Sequence, residues 1–417
     1  MRNNQGMGAL PVTYRYAVSS TLDNGDSGYS NSGMRLGLAT TDPGAFLEGF
    51  VERADVVAAA LLKVGDIAGT RFYTPPNMVA AALRAADPIV TVGDGAVRFE
   101  SLSTDCGVAA RLDLLDDGLD TTARRPGTTN VDVGPALRQL LAGVRRRDPM
   151  RLSVSDHGLG VETLDGKVHE RVVDLPERWV RSLAELQALS SQMELAAELN
   201  AAQTREFLQS IPARSGREPY WLQQVPSGLR LSTSPGPRRV AVGSPERLRV
   251  LQPLLRLATG LRVYGTETAA GAATWWMLDL PGARLGLALS PDLSRGFSGE
   301  GALLDDLAAK NPDVDRARRG LVGYDVTDGR FFERALPFDK QALETAPRLD
   351  KARRLIDQGK VRREGDHTLV AGSYADHVVW LRSTGETCTC KWFRKHQGTR
   401  GPCAHVLAAR LFEGEDT

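Results

Sequence analysis

The sequence predicts an α+β fold of several domains that ends in a small ββα-like module. Three observations predict it. Helix-period and strand-like segments mix along the chain without the regular alternation of a βαβ fold, and no internal repeat is visible. The 417 residues are more than one core of ordinary size fills. Three of the four cysteines cluster after residue 387, while Cys106 stands alone.

The elements follow in chain order. Residues 1–33 are rich in Asn, Gly and Ser, bury little apolar surface and read as a flexible segment. Met34 begins more ordinary sequence and is a second candidate start of translation. Residues 34–175 form the first expected α+β domain. Its opening helix spans 46–67, with Phe50, Val57, Leu61 and Val64 near one stripe. Pro75-Pro76 breaks the chain before a short helix over 78–86. Strands are expected over 89–92, 97–102 and 108–114, with Gly93-Asp94-Gly95 turning between the first two. Leu137, Leu140, Leu141 and Val144 mark a helix over 135–144. A hairpin of 152–154 with 160–162 and a strand over 168–173 complete this part.

The second expected domain is 176–345. It opens with helices over 177–199 and 204–210, followed by a strand-like stretch over 218–242. Ser244 is placed to cap a helix with Pro245 at its first position, running to Ala258. Strands over 261–264, 275–280 and 285–289 come next, then a helix over 299–309. Segments 322–326 and 331–336 flank Asp328-Gly329, a dipeptide favoured in tight hairpins. Residues 346–417 form the last unit. A basic amphipathic helix over 348–358 is closed by Gly359, and short strands over 368–371 and 377–381 lead into the cysteine cluster.

Composition narrows the function classes. With 42% apolar and 25% charged residues, the chain can bury an ordinary core. A net charge of +1 gives the whole molecule no strong pull on nucleic acid, so such binding needs a local patch. The polar N-terminus lacks the apolar region of a signal peptide, and no apolar run reaches the roughly 18 residues of a membrane span. Four cysteines in so long a chain are not a disulfide framework. A reducing cytoplasm is the expected location.

The cysteine cluster has the chemistry of a metal site. Cys388-Thr389-Cys390 is followed, after twelve residues, by Cys403-Ala404-His405. Zinc takes four tetrahedral ligands, with Zn–S of about 2.3 Å and Zn–N of about 2.0 Å. Residues two apart on an extended segment share a face, so Cys388 and Cys390 can aim at one point. Residues two apart inside a helix do not, so Cys403 and His405 must straddle a helix start, entered from Gly401-Pro402. Four protein ligands close the shell and make the ion structural. His396, inside the loop, is a rival ligand that does not complete the spacing. The loop also carries Lys391, Arg394, Lys395 and Arg400, with Trp392 and Phe393 interleaved. These cations could contact phosphates and the rings could stack on bases; alternatively the rings pack beneath the zinc and the cations form a solvated face.

The pattern over 376–412 resembles the SWIM zinc finger, C-x-C-x(n)-C-x-H, with a strand pair ahead and a short helix behind. The resemblance implies one structural Zn²⁺ held by Cys388, Cys390, Cys403 and His405, and binding to DNA or protein. Thr128-Thr129-Asn130-Val131-Asp132, Gly296-Phe297-Ser298-Gly299-Glu300-Gly301 and Leu321-Val322-Gly323-Tyr324-Asp325 are similar to segments of bacterial SWIM-containing proteins. Those are often encoded beside MoxR-type AAA+ ATPases and von Willebrand A proteins, which implies a protein partner of that kind.

No catalytic constellation stands out. Ser298 lacks the glycine two residues on that a nucleophile elbow requires. Gly158-Leu159-Gly160 lacks the third glycine of a dinucleotide loop, and Gly359-Lys360 lacks the spacing of a P-loop. Asp113, Asp116, Asp117 and Asp120 read as a solvated turn, and His157 beside Asp156 as a turn residue. Cys106 is expected to be a small buried hydrophobe. Trp275-Trp276 should split, one ring to a core and one outward. The expectation is a non-enzymatic recognition or adaptor subunit for a protein partner. Contact with DNA through the basic loop is one alternative, and a hydrolase with its site within 34–337 another.

Overall fold

The computed structural model describes residues 21–22, 34–35, 44–72, 88–173, 175, 177–214, 220–236, 240–266, 273–291, 296–297, 312–336, 347–372, 375–382, 385–398 and 401–415. The helices expected over 78–86 and 299–309 lie outside them. No helix among the described residues is long and apolar enough to cross a membrane.

A two-residue ladder of β1 (Thr21–Leu22) with β2 (Met34–Arg35) comes first. The chain continues through β3 (Ala45–Val51), α1 (Ala54–Gly69), β4 (Ile89–Val92), β5 (Ala96–Leu102), β6 (Val108–Leu115), β7 (Leu119–Arg124), β8 (Gly127–Asn130), α2 (Pro135–Gly143), β9 (Arg151–Ser155), β10 (Gly158–Thr163) and β11 (Gly166–Arg171). Then come α3 (Glu177–Ser190), β12 (Glu194–Asn200), α4 (Ala201–Ser210), β13 (Tyr220–Val225), β14 (Gly228–Ser232), β15 (Ala241–Val242), β16 (Gly260–Gly265), β17 (Thr274–Leu280), β18 (Ala283–Leu289), α5 (Pro312–Arg318), β19 (Val322–Asp325) and β20 (Arg330–Glu333). The C-terminal unit holds α6 (Pro347–Asp357), β21 (Val361–Glu364), β22 (His367–Val370), β23 (His377–Arg382), β24 (Gly385–Cys388), α7 (Lys391–His396) and α8 (Ala404–Glu415).

An antiparallel eight-stranded sheet, ordered β12-β16-β17-β18-β6-β5-β4-β8, forms the centre. It corrects the boundary expected at 175/176. β6 pairs with β18 from Val108↔Leu289 to Leu114↔Ala283, so residues of both expected domains share one sheet. Seven of the eight residues of β6 are buried, which requires backbone partners on both edges and cover on both faces. A second sheet runs β11-β10-β9-β3-β7.

Three helical expectations are revised, two of them by long-range pairing. The helix expected over 46–67 begins only at Ala54, because residues 45–51 sit as β3 between β9 and β7. A Cβ at Gly49 would stand 2.7 Å from the Asp120 carbonyl oxygen, so the close approach of β7 requires glycine there. Val57, Leu61 and Val64 are buried as the stripe predicts, whereas Phe50, on the strand, is 45% exposed. The helix expected to reach residue 199 stops at Ser190. Residues 194–200 have helix-favouring composition but pair with β16 as an edge strand, so sheet pairing outweighs local propensity. Asn200 then caps α4 in a reciprocal box with Gln203. Ser244 has φ +47° and makes no side-chain cap, and residues 245–254 are a 3-10 segment with Pro253 inside. Proline has no N–H to donate to an α-helical ladder.

Side chains alternate across the central sheet. One face, with Phe99, Leu112, Trp276, Leu278, Leu285 and Leu287, packs with α1 into the largest core. The other, with Ile89, Leu102, Trp275, Met277 and Ala288, packs on Trp179, Val180, Leu183 and Leu186 of α3. Trp275 and Trp276 do point opposite ways, but both are buried because both faces are covered. Cys106 is buried in the second cluster, with φ +56°.

The second face also buries charge that the sequence reading missed. Arg98, Arg111, Asp113 and Arg284 face the β19–β20 hairpin, which inserts Asp325 among them. Asp325 accepts from Arg98 Nη2 at 3.0 Å and Arg284 Nη2 at 3.2 Å, and lies 3.4 Å from Arg111 Nη2. Asp113 lies 2.9 Å from Arg111 Nε and 3.2 Å from Arg284 Nη2. Arg334 donates to Glu100 at 2.6 Å, and Phe332 covers the Arg98 guanidinium at 4.0 Å. Asp113 therefore does not share a solvated turn with exposed Asp116, Asp117 and Asp120; its position on β6 turns it inward. Burial pushes the Asp113 carboxyl up. Burial acts the same way on Asp325, but Arg111, Arg284 and Arg98 outweigh it and hold that carboxyl far below the usual range.

The C-terminal unit has its own core, drawn from residues 349–412. Its antiparallel sheet runs β21-β22-β23-β24 and is covered by α8, against which α6 packs. The expected helix and strand before the cysteines form α6 and β22, and β21 and α7 are added to them, the β23–β24 hairpin and α8.

Candidate metal centre

The β23–β24 hairpin delivers the first ligand pair. Cys388 ends β24 opposite Val379. Thr389 stays tied to the sheet: its N–H donates to Val378 O at 3.1 Å, and its Oγ1 accepts the Val378 N–H at 3.0 Å. Cys390 keeps an extended backbone (φ −68°, ψ 153°), so the two thiols share a face. Cys390 is also the N-cap of α7, its Sγ accepting the Phe393 N–H at 3.3 Å. The Cys390 N–H in turn donates to Cys388 Sγ at 3.5 Å.

The second pair is delivered in the same way. Cys403 stands immediately before α8, where its Sγ accepts the Val406 N–H at 3.4 Å and its carbonyl the Leu407 N–H at 3.0 Å. His405 lies in the first turn of that helix. Cys390 and Cys403 thus each place sulfur where amide donors and the helix dipole favour negative charge.

The four ligand atoms of Cys388, Cys390, Cys403 and His405 all lie within 4.8 Å of one another, and Cys388 Sγ is 3.9 Å from His405 Nδ1. Tetrahedral bonds to zinc put ligand atoms about 3.5–3.8 Å apart, so a small contraction onto one ion suffices. The three cysteines are buried. Between themselves they can share only limited charge. A hydrogen bond from the Cys388 thiol, opposed by burial and helped by His405 and the Val406 N–H, brings Cys403 down to about 4. The same hydrogen bond, together with burial, pushes Cys388 up. A divalent ion removes this conflict by stabilising all the thiolates together. The donor set, its burial and the N–H···S bonds all fit one zinc ion, and these four residues are positioned to bind it.

Neighbouring groups fix the ligand-bearing elements. The His377 ring lies 4.3 Å from that of His405, tilted by 36°. Arg410 of α8 grips Glu386 of β24 with two bonds, the Nη2–Oε2 one at 2.7 Å. Thr368 Oγ1 donates to Glu413 Oε1 at 2.6 Å, tying α8 to β22. Arg348 of α6 donates to Pro402 O at 3.0 Å and lies over the Trp392 ring at 5.0 Å.

Structure therefore brings the four expected ligands together and leaves the rival out. His396 packs against Trp392 at 4.9 Å, outside the cluster. Trp392 and Phe393 are half-buried against the module core, which favours their packing role. Lys391, Arg394 and Lys395 are exposed on α7, and Arg400 lies outside the described residues. The sequence reading missed α7 itself and the roles of His377 and Arg348. For α7, the signal was confined to its end, where Gln397 and Gly398 terminate helix-compatible residues at φ +45° and +78°.

A SWIM zinc finger family model matches residues 377–410. No curated protein sequence matches the chain. Among solved structures, the chain is similar to the proliferating cellular nuclear antigen of Entamoeba histolytica. The identity is 10%, over 60% of this chain and 99% of that one, with a TM-score of 0.37, too loose a superposition to transfer fold or function.

Proposed function

We propose that the chain is a non-catalytic recognition subunit whose zinc module contacts nucleic acid. The observation that supports this is a full set of four protein ligands beside exposed cations. Among the described residues, Lys391, Arg394 and Lys395 meet no carboxylate. A closed ligand shell leaves no metal position for a reacting water, so the ion maintains the fold. Cations without counterions are available to phosphates. Arg400 belongs to the same loop in sequence. Because Trp392 and Phe393 are packed inward, this contact rests on charge more than on base stacking.

The test is fluorescence anisotropy of labelled DNA against the zinc-loaded chain over a salt series. The expected result is binding that weakens steeply with salt and is lost on chelation. Absence of binding at low salt refutes the reading.

A second reading is a protein partner, such as an AAA+ ATPase with its von Willebrand A companion, as the sequence resemblance implies. The observation that favours it is Leu195, 53% exposed on β12 at the edge of the central sheet. Edge strands and exposed apolar side chains are common docking elements. Co-purification of such a pair with the chain, lost in Leu195→Lys, would support it.

A further inference from the structure

A second cationic surface lies on α6 and the turn that follows it. Lys351 and Arg354 stand one turn apart on α6, and Lys360 follows the Gly359 turn that closes the helix. They line a cavity of about 540 Å³ together with His377 of β23 and the ligand His405. No carboxylate is among its described lining residues. Gly372 shapes the wall, since a Cβ there would meet Ala375 O at 2.4 Å and His377 Nε2 at 3.0 Å.

The arginines on the module's sheet and on α8 are paired, by contrast. Arg362 pairs with Asp376 at 2.9 Å, Arg363 with Glu413 at 3.7 Å and Arg382 with Asp366 at 3.8 Å, and Arg410 is held by Glu386. Lys351, Arg354 and Lys360 have no carboxylate within 4.0 Å among the described residues; Arg354 only donates Nε to the Asp350 carbonyl of its own helix, at 3.3 Å. All three are exposed. Like charges crowded without counterions repel one another, and a bound anion relieves that repulsion.

We infer that this groove holds the phosphate backbone of a nucleic-acid strand, with Lys351, Arg354 and Lys360 as the phosphate-contacting side chains. The inference rests on the nucleic-acid reading above and places the principal contact in the groove, away from the α7 cations. An extended polyanion suits the groove better than an acidic peptide. Peptide and protein interfaces depend on buried apolar or aromatic anchors, whereas here Leu355 is already buried and the other apolar lining residues are the small Ala371 and Ala375. A row of exposed point charges matches regularly spaced phosphates.

The experiment uses the zinc-loaded full chain and fluorescein-labelled mixed-sequence DNA, as duplex and as single strand, over a salt series. Lys351→Gln/Lys360→Gln is compared with Lys391→Gln/Lys395→Gln. The groove variant is expected to lose about tenfold in affinity and to flatten the slope of log K against log salt by about 2, with zinc content unchanged. The α7 variant should change less. Polyglutamate should compete poorly. Wild-type affinity and slope in the groove variant, or loss confined to the α7 variant, overturns the groove assignment and leaves the nucleic-acid reading standing. Displacement by polyglutamate as effective as by unlabelled DNA overturns the phosphate assignment. Failure of the wild-type chain to bind either DNA defeats both.

Discussion

Replacing Cys390 by serine separates the metal from the helix cap that the same side chain provides. The cysteine ligates zinc and accepts the Phe393 N–H at 3.3 Å as N-cap of α7. Serine is itself a favoured N-cap, so Cys390→Ser keeps the cap and removes the thiolate. Structural zinc contributes about 10–16 kcal/mol of binding free energy. Spread over four ligands, that is about 2.5–4 kcal/mol each, or roughly 100- to 1000-fold in zinc affinity. The consequence should stay local, because the module's core draws only on residues 349–412 and neither of the other cores includes any of them. Zinc content is measured by mass spectrometry of the metal after dialysis against a graded chelator, and unfolding is mapped by limited proteolysis. The expected variant loses zinc to a chelator the wild type resists, and is cut within 347–415 while the central sheet stays protected. Wild-type zinc retention refutes the ligand assignment. Cleavage throughout the chain refutes the separateness of the module.

Other expectations follow from the same geometry. Asp325→Ala leaves Arg98, Arg111 and Arg284 buried without their shared carboxylate and should cost about 3–5 kcal/mol, read from the urea midpoint; an unchanged midpoint would contradict the network. The folded Asp325 carboxyl titrates below its unfolded value, so its contribution stands above pH of about 4 and is lost as pH falls towards the folded value. Wild-type stability should therefore decline in that acid range, and the decline should be shallower in Asp325→Ala. His396→Asn should leave zinc binding intact, whereas His405→Asn should weaken it; the reverse outcome would exchange their assignments.

The metal centre was legible because its information is local. Thiolate and imidazole donors are few, the tetrahedron is small, and the x-spacing of each pair fixes whether both residues can face one point. Cys388, Cys390, Cys403 and His405 were therefore readable together, as were β4 to β6 and α2, whose periodicity agrees with their pairing. The hairpin at Asp328-Gly329 was equally clear, and Gly329 takes the positive φ, +64°, that the turn favours.

Tertiary structure decided what depended on distant partners. Residues 45–51 and 194–200 carry helical pattern or propensity, yet each became a strand because a neighbouring strand supplied hydrogen bonds that local sequence does not announce. The same holds for Asp113 and Trp275, whose burial follows from what covers the second face of the sheet. Asp325 lies 212 residues from Asp113 in sequence, and no short-range pattern signals that folding places both among the same arginines. Local spacing encodes where a small ion binds; only the assembled sheet determines which strand lies beside which, and therefore which charges must be buried together.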